Sequence, residues 1–189
     1  MGILQLKMRW QWLFFVMTIS SCLHHINNDF MRAEGLWEES NFNHAVILYK
    51  KAIDSGNLTN DELAASHYNI AIFYFLSLRA EDSINYINKV PDLQPYHVDA
   101  LSLRAIAEDF LGRDEQALAD WERLLSVNSK DSYVYYDRSF FYASRGKYDK
   151  AIEDLEIYLK LKPDDSIEQE TLEDFKAKQM SQQQSEKQR

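Results

Sequence analysis

The sequence contains little of what sheets and disulfide cross-links need. It has 5 Gly, 3 Pro and 1 Cys among 189 residues, with only six Val and three Thr. Hairpin sheets rely on Gly-rich turns and β-branched strands, so this composition disfavours an all-β fold and favours helices. A single cysteine also excludes an internal disulfide framework and any Cys-rich zinc site.

Basic charge is scarce as well. The chain carries 21 Lys and Arg against 30 Asp and Glu, which gives a net charge of −9. Because such a surface repels phosphates, non-specific binding to nucleic acid is disfavoured. The hydrophobic content of 46% is nevertheless ample for a packed core. We therefore expect one helical domain, or at most two small ones.

The N-terminus has the layout of a secretory signal peptide. Lys7 and Arg9 form a basic region, and an apolar stretch follows from Trp10 to Ile19. This stretch is shorter than the roughly 20 residues that a membrane-spanning helix needs. A chain beginning at Met8 would still contain the complete signal, so Met1 and Met8 are both candidate starts.

The residues around Cys22 resemble the bacterial lipobox. Ile19-Ser20-Ser21-Cys22 supplies an aliphatic residue, two small residues and the cysteine. The resemblance implies that residues 1–21 are removed and that Cys22 carries diacylglycerol and an N-linked acyl chain such as palmitate. It also implies that Leu23 permits delivery to the periplasmic face of the outer membrane, although an inner-membrane location stays open. A plain signal peptide or a short anchor is the alternative interpretation.

A 34-residue period organises the rest of the chain. YDKAIEDL at 148–155 matches DEQALADW at 114–121, and AEDSINYI at 80–87 lies one further period back. A fourth copy, FNHAVILY at 42–49, is displaced by four extra residues near Thr59 to Leu63. Such a period is typical of repeat architectures, in which stacked units bury one continuous core.

Small residues recur at two positions in every period. Two helices approach closely only where the side chains between them are small, so these positions predict the contacts inside each unit. Gly112 and Gly146 are predicted to turn the chain between the two helices. The predicted contact residues are Ala33, Ala71, Ala105 and Ser139 on the first helices, and Ala45, Ser83, Ala117 and Ala151 on the second helices.

These copies resemble the tetratricopeptide repeat, a helix–turn–helix unit of this length. The resemblance implies an all-α fold, an α-solenoid of four such repeats with a C-terminal capping helix. Arg32, Arg104 and Arg138 depart from the family pattern, because each stands at a position that is usually bulky and apolar. The repeats are placed at about 26–59, 64–97, 98–131 and 132–165. The predicted domains are the signal peptide (1–21), the lipidated cysteine and linker (22–29), the repeats (30–165), a capping helix (166–179) and a disordered polar tail (180–189).

The resemblance also implies a binding surface. Tetratricopeptide stacks bind peptide or protein partners through a concave face that is lined by the first helices. Aromatic side chains dominate the corresponding positions here, and such surfaces favour peptide or protein partners. Several of these side chains could instead pack between units. The predicted groove residues are Phe30, Glu34, Trp37, Tyr68, Ile72, Phe75, Ile106, Asp109, Phe110, Tyr133, Tyr136 and Phe140.

The charge of this face predicts which peptides it takes. Some members of the family hold an acidic C-terminus with a clamp of Lys, Asn and Arg, and only Asn69 fits that clamp here. Glu34, Asp99 and Asp109 would favour a basic segment instead.

No pattern in the sequence indicates catalysis. The five histidines form no HExxH or other ligand spacing, and there is no Gly-rich phosphate loop. We therefore expect no catalytic residue, metal or cofactor. His67 falls at a packing position, which predicts a core or interface histidine.

These features together predict a non-enzymatic, lipid-anchored adaptor or scaffold in a bacterial envelope. Two families combine a lipobox with repeats. NlpI-like lipoproteins act as adaptors for envelope proteases and peptidoglycan hydrolases, and residues 58–90 resemble their opening repeat. Type IV pilus pilotins escort a secretin to the outer membrane. A structural subunit of an outer-membrane assembly is the alternative, and a homodimer is compatible with either.

Overall fold

The computed structural model describes residues 28–90 and 97–187 of the chain. These two ranges contain nine helices and no strand. The predicted signal peptide and Cys22, the predicted lipidation site, lie outside the described residues, as does nearly all of the predicted linker. None of the described helices combines the length and the apolar character that crossing a bilayer requires.

The described helices form four pairs and one final helix. The helices of a pair make the most extensive contacts, and each second helix also packs on the helix that follows it. This arrangement confirms the predicted all-α solenoid. The helices are α1 (Asn28–Glu38), α2 (Phe42–Ser55), α3 (Asn60–Leu76), α4 (Ala80–Ile87), α5 (His97–Phe110), α6 (Asp114–Val127), α7 (Ser132–Ser144), α8 (Tyr148–Leu161) and α9 (Ser166–Lys187).

The four extra residues near Thr59 lengthen a first helix. Thr59 and Glu62 form a capping box: the Thr59 N–H donates to the Glu62 carboxylate at 2.8 Å, and the Glu62 N–H donates to Thr59 Oγ1 at 3.3 Å. These bonds satisfy backbone donors that a helix start otherwise leaves open. Helix α3 therefore begins at Asn60, one turn before the predicted start of its repeat at residue 64.

A left-handed residue links the two helices of every pair. Gly112 and Gly146 have φ angles of +70° and +67°, which confirms their predicted role as turns. Ser40 and Leu78 take the same position in the first two pairs, with φ angles of +60° and +59°. The turn geometry is thus a property of the repeat. In two of the four turns, a residue with a side chain adopts this strained backbone conformation.

The core lies between the paired helices and between successive pairs. All eight small residues that the period predicts as contacts have 0% exposed surface. The bulkier residues at the recurring position between units are at most 3% exposed. These bulkier residues are Tyr49, Ile87, Trp121 and Leu155.

The last helix is longer than the sequence predicts. It continues to Lys187, whereas the predicted capping helix ends at residue 179 and a disordered tail follows. Residues 180–187 contain neither Gly nor Pro, so nothing interrupts the helical backbone. The Ser181 hydroxyl also donates to the carbonyl of Ala177 at 3.0 Å. The predicted disorder is therefore corrected as far as Lys187.

Candidate protein-interaction surface

The first helices of successive pairs form one continuous face. Helix α3 contacts α5 and α5 contacts α7, while the extensive contacts of the second helices are with the first helices of their own and the next pair. Direct contact between first helices places them on the inner, shorter side of the stack. We call the surface of α1, α3, α5, α7 and α9 on this side the concave face.

The middle of the concave face is apolar. Phe75 at the end of α3 and Phe110 at the end of α5 pack edge to face, with ring centroids 6.2 Å apart. Phe110 is 58% exposed, so most of its ring is accessible. Tyr68, Ile72 and Ile106 lie half-buried on the same two helices.

The C-terminal part of the face is lined with aromatic rings. Tyr136 of α7 lies between Phe140 and Tyr158, with centroid distances of 4.9 Å and 5.3 Å. Tyr133 is 64% exposed and Phe140 is 39% exposed. Lys162 places its ammonium 5.7 Å from the centre of the Tyr133 ring.

Helix α9 extends the face beyond the four pairs. Phe140 meets Phe175 of α9 at a centroid distance of 5.6 Å. An open groove of about 860 Å³ lies between the end of α7 and α9, and Ile167 and Asp174 contribute to its lining. Ile167 is 72% exposed. Helix α9 was not predicted to belong to the binding surface, although it begins 34 residues after α7, which was the available signal.

The N-terminal part of the predicted groove is used for internal packing. Phe30 is only 9% exposed and its ring lies 6.1 Å from that of Tyr49, so its assignment to the groove is corrected. The Tyr49 hydroxyl donates to the Glu34 carboxylate, and Asn69 donates to Tyr49 at 2.8 Å. Trp37 packs edge to face on Tyr49 at 6.2 Å. Tyr49 is fully buried, and these side chains of α1 pack against it rather than facing the groove.

Several acidic side chains near the face are neutralised by arginines of the chain. Arg145 pairs with Asp109 at 2.8 Å and with Asp114 at 2.6 Å. The hydrogen bonds from Arg145 lower the pKa of Asp114. The predicted groove residue Asp109 is thus held by an ion pair within the stack.

Asp137 is an acidic residue of α7 that the predicted groove does not include. Its half-buried carboxylate lies on α7, one residue after Tyr136. Burial, and then the nearby charge of Asp131, raise its pKa to about 6. The available signal was the repeat itself, because the residue 34 positions earlier is the apolar Leu103.

His67 has the packing role that its position predicts. It is 7% exposed, and its ring lies 6.0 Å from that of Tyr86. Burial, and then the charge of Lys89, lower its pKa to about 4, so it is neutral at pH 7. Within the described residues, no three His, Cys, Asp or Glu side chains are grouped as a metal ion would require.

Comparison with known proteins gives one family and a set of related structures. Residues 101–173 match the family model described as tetratricopeptide repeat. The comparison with curated proteins found no match.

Solved structures share the fold at low sequence identity. The MamA protein superposes with a TM-score of 0.66 at 19% identity, over 82% of this chain and 85% of MamA. YrrB, described as a TPR protein with an unusual peptide-binding site, gives 0.62 at 15% identity, over 74% and 70% of the two chains. The first TPR of Spaghetti (RPAP3), bound to the HSP90 peptide SRMEEVD, gives 0.56 at 21% identity, over 63% and 97%. The chain therefore has the tetratricopeptide-repeat fold, and residues 101–173 carry the sequence pattern of that repeat.

Proposed function

We propose that this protein is a non-catalytic interaction module that binds an extended segment of a partner protein along its concave face. One observation carries the proposal: large side chains on α5, α7 and α9 leave 39% to 72% of their surfaces exposed, namely Phe110, Tyr133, Phe140 and Ile167. Large apolar side chains on one continuous face are typical of protein interaction sites. The fold supports the proposal, since YrrB and the RPAP3 domain are described as binding peptides.

The partner segment is basic or neutral rather than acidic. The RPAP3 domain is bound to SRMEEVD, a peptide with three acidic side chains. In this chain Asn69, which alone fits a carboxylate clamp, donates to Glu34 and Tyr49 instead. The half-buried carboxylate of Asp137 would repel an acidic peptide.

The second part of the proposal is that a lipid at Cys22 anchors the protein to a membrane. Its support is the sequence Ile19-Ser20-Ser21-Cys22 behind a basic and apolar leader. Two or more acyl chains would hold the stack at a membrane surface, which raises the local concentration of any partner there. An NlpI-like role in recruiting envelope proteases or peptidoglycan hydrolases is the form of this proposal that residues 58–90 favour. A permanent subunit of an outer-membrane assembly, or a pilotin-like factor, is the second candidate.

Affinity purification with paired variants tests the binding function. The variant Phe110→Ala/Tyr133→Ala removes exposed rings from the concave face, and Ile47→Ala/Val127→Ala removes equally exposed apolar groups (62% and 71%) from second helices. We expect the first variant to lose the proteins that the wild type recovers, and the second to retain them. Equal recovery by both variants would contradict binding through the concave face.

A separate experiment tests the anchor. Metabolic labelling with palmitate should mark the wild type and not Cys22→Ser, and only the wild type should sediment with membranes. Recovery at fixed stoichiometry without crosslinking would favour the assembly subunit over the adaptor.

A further inference from the structure

The turn of the second helix pair contains a large apolar residue where the other turns do not. Leu78 has a φ angle of +59°. This left-handed backbone conformation is unfavourable for a leucine and not for a glycine. The residues at the same register in the other three turns are Ser40, Gly112 and Gly146.

Packing within the stack does not explain this leucine. Its side chain is 76% exposed, more than any other large apolar side chain that the structure describes. The turn is closed by backbone bonds: the N–H of Leu78 donates to the carbonyl of Phe75, and the N–H of Arg79 to that of Tyr74, both at 2.9 Å. A glycine would make the same bonds. A strained residue that gains no contact within its own chain points to a contact with another molecule.

Two further exposed apolar side chains lie near this turn. Leu76 ends α3 two residues earlier and is 65% exposed. Phe110 stands 34 residues after Leu76, at the end of α5, and is 58% exposed. The rings of Phe75 and Phe110 pack edge to face at 6.2 Å, so the ends of the two helices are in contact. We call Leu76, Leu78 and Phe110 the turn patch.

The charged residues that flank the turn patch in sequence are paired with one another. The pairs are Arg79 with Asp82 at 2.6 Å, Arg113 with Glu81 and with Glu108 (3.3 Å), and Arg145 with Asp109 at 2.8 Å. The patch therefore presents apolar surface between neutralised charges. Such a surface is complementary to an uncharged side chain rather than to an ion.

The size of the turn patch indicates what it can hold. Three such side chains expose on the order of 300–400 Å², which is the size of a functional patch on a monomer. Each partner of a stable complex buries about 800 Å², so the patch is too small to hold a second copy of the chain by itself. Phe110 also belongs to the concave face. The patch thus extends that face to the edge of the stack, where the helices of each pair are joined.

We propose that Leu78 contacts the bound partner, and that the turn patch is a subsite for an uncharged aliphatic or aromatic side chain of the partner segment. Covering Leu76, Leu78 and Phe110 removes their exposed apolar surface from water, which favours the complex. This inference rests on the proposed peptide-binding function and specifies where one anchor of the segment lies.

Nuclear magnetic resonance of the full chain, with labelled leucine, isoleucine and valine methyl groups, tests the subsite with small probes. The probes are acetyl-Ala-Leu-Ala-amide, acetyl-Ala-Phe-Ala-amide and the polar acetyl-Ala-Asn-Ala-amide. We expect the first two to shift the methyl signals of Leu76 and Leu78, and the asparagine peptide to leave them in place. Ile47 and Val127 are the controls, because they are 62% and 71% exposed on second helices and should not respond.

The variant Leu78→Gly separates binding from folding. It removes the side chain and relieves the backbone, so the variant should fold at least as well as the wild type. It should weaken the leucine peptide about tenfold, as measured at the Leu76 methyl signals. Val127→Ala, a change at a similarly exposed residue, should leave the affinity unchanged. Equal affinity of the wild type and Leu78→Gly would overturn the role of Leu78.

The other outcomes are equally decisive. Absence of shifts at Leu76 and Leu78, or equal shifts at Ile47 and Val127, would overturn the subsite. Shifts of the Leu76 and Leu78 signals on concentrating the protein alone would identify a second copy as the occupant and would also overturn it.

Affinity purification distinguishes failure of the subsite from failure of the proposed function. We expect Leu78→Gly to recover less of the proteins that the wild type recovers. Full recovery by Leu78→Gly, with loss in Phe110→Ala/Tyr133→Ala, would overturn the subsite and leave binding through the concave face intact.

Discussion

Arg138 donates two hydrogen bonds to Asp154 across the fourth helix pair, from Nε at 2.7 Å and from Nη2 at 2.8 Å. Asp154 is 3% exposed. The same arrangement occurs 34 residues earlier, where Arg104 holds Asp120 at 2.7 Å and 2.6 Å. These arginines depart from the apolar pattern of the repeat, and the structure gives the reason: each departure is matched by a buried aspartate on the partner helix.

Removing one member of this pair should be far worse than removing both. Arg138→Met leaves the Asp154 carboxylate buried and unpaired, which should lower the free energy of unfolding by about 3–5 kcal/mol. Arg138→Ile/Asp154→Tyr installs the residues that the second pair carries at the same register, Ile70 and Tyr86, and should recover much of the loss. Urea unfolding followed by circular dichroism measures both. A cost below about 1 kcal/mol for the single variant would contradict the account.

A glycine in the turn between α3 and α4 should stabilise the protein. Leu78 has a φ angle of +59°, so its backbone is strained, and it is 76% exposed, so its side chain contributes little packing. Leu78→Gly should raise the free energy of unfolding by about 1 kcal/mol. Gly112→Ala should lower it by a similar amount, because no atom blocks the added carbon and only the backbone strain remains. A loss of stability in Leu78→Gly would show that the leucine is held by contacts.

Asp137 should make the protein less stable at neutral pH than at mildly acidic pH. Its pKa is about 6 in the folded chain against an ordinary 3.8, so the folded state binds the proton more readily. Its contribution to the free energy of unfolding therefore rises as pH falls from about 7 to about 4. Asp137→Asn should be more stable than wild type by about 1–2 kcal/mol at pH 7, and equal to it near pH 4. A difference that does not change with pH would contradict this.

His67 should make the protein less stable as pH falls from about 7 to about 4, the opposite of the effect of Asp137. Its pKa is lowered to about 4 from an ordinary 6.5, so the unfolded state binds the proton more readily. The stability it contributes is present above pH 6.5 and is lost as pH falls toward 4. His67→Phe should lose less stability than wild type between pH 7 and pH 4.5, by about 2–3 kcal/mol. The exposed His44→Phe is the control, and it should follow the wild type.

The fold could be predicted from the sequence because each repeat has the same type of residue at the same packing positions. Ala33, Ala71, Ala105 and Ser139 mark the same helix contact four times, and all four are fully buried. Gly112 and Gly146 mark the turns of the third and fourth pairs. Leu78, in the turn of the second pair, is not a turn-forming residue type and gives no such signal. The partners of the arginines could not be read from the sequence, since Asp154 meets Arg138 only after two helices align residues 16 positions apart.

The binding surface was less accessible. The repeat register places Phe30 and Phe110 on the same face. It does not predict that Phe30 packs against Tyr49 and is buried, while Phe110 is 58% exposed. Asp137 could have been recognised as a departure from the repeat by comparison with Leu103. The meaning of that difference depends on burial, which only the structure provides.

Site-specific photocrosslinking in living cells tests the central claim most directly. A benzophenone amino acid would replace Phe110 or Tyr133 on the concave face, and Ile47 or Val127 on second helices as matched controls. Binding along the concave face predicts that the first two positions capture the same few proteins and that the two controls do not. Capture from Ile47 and Val127, with none from Phe110 and Tyr133, would contradict it.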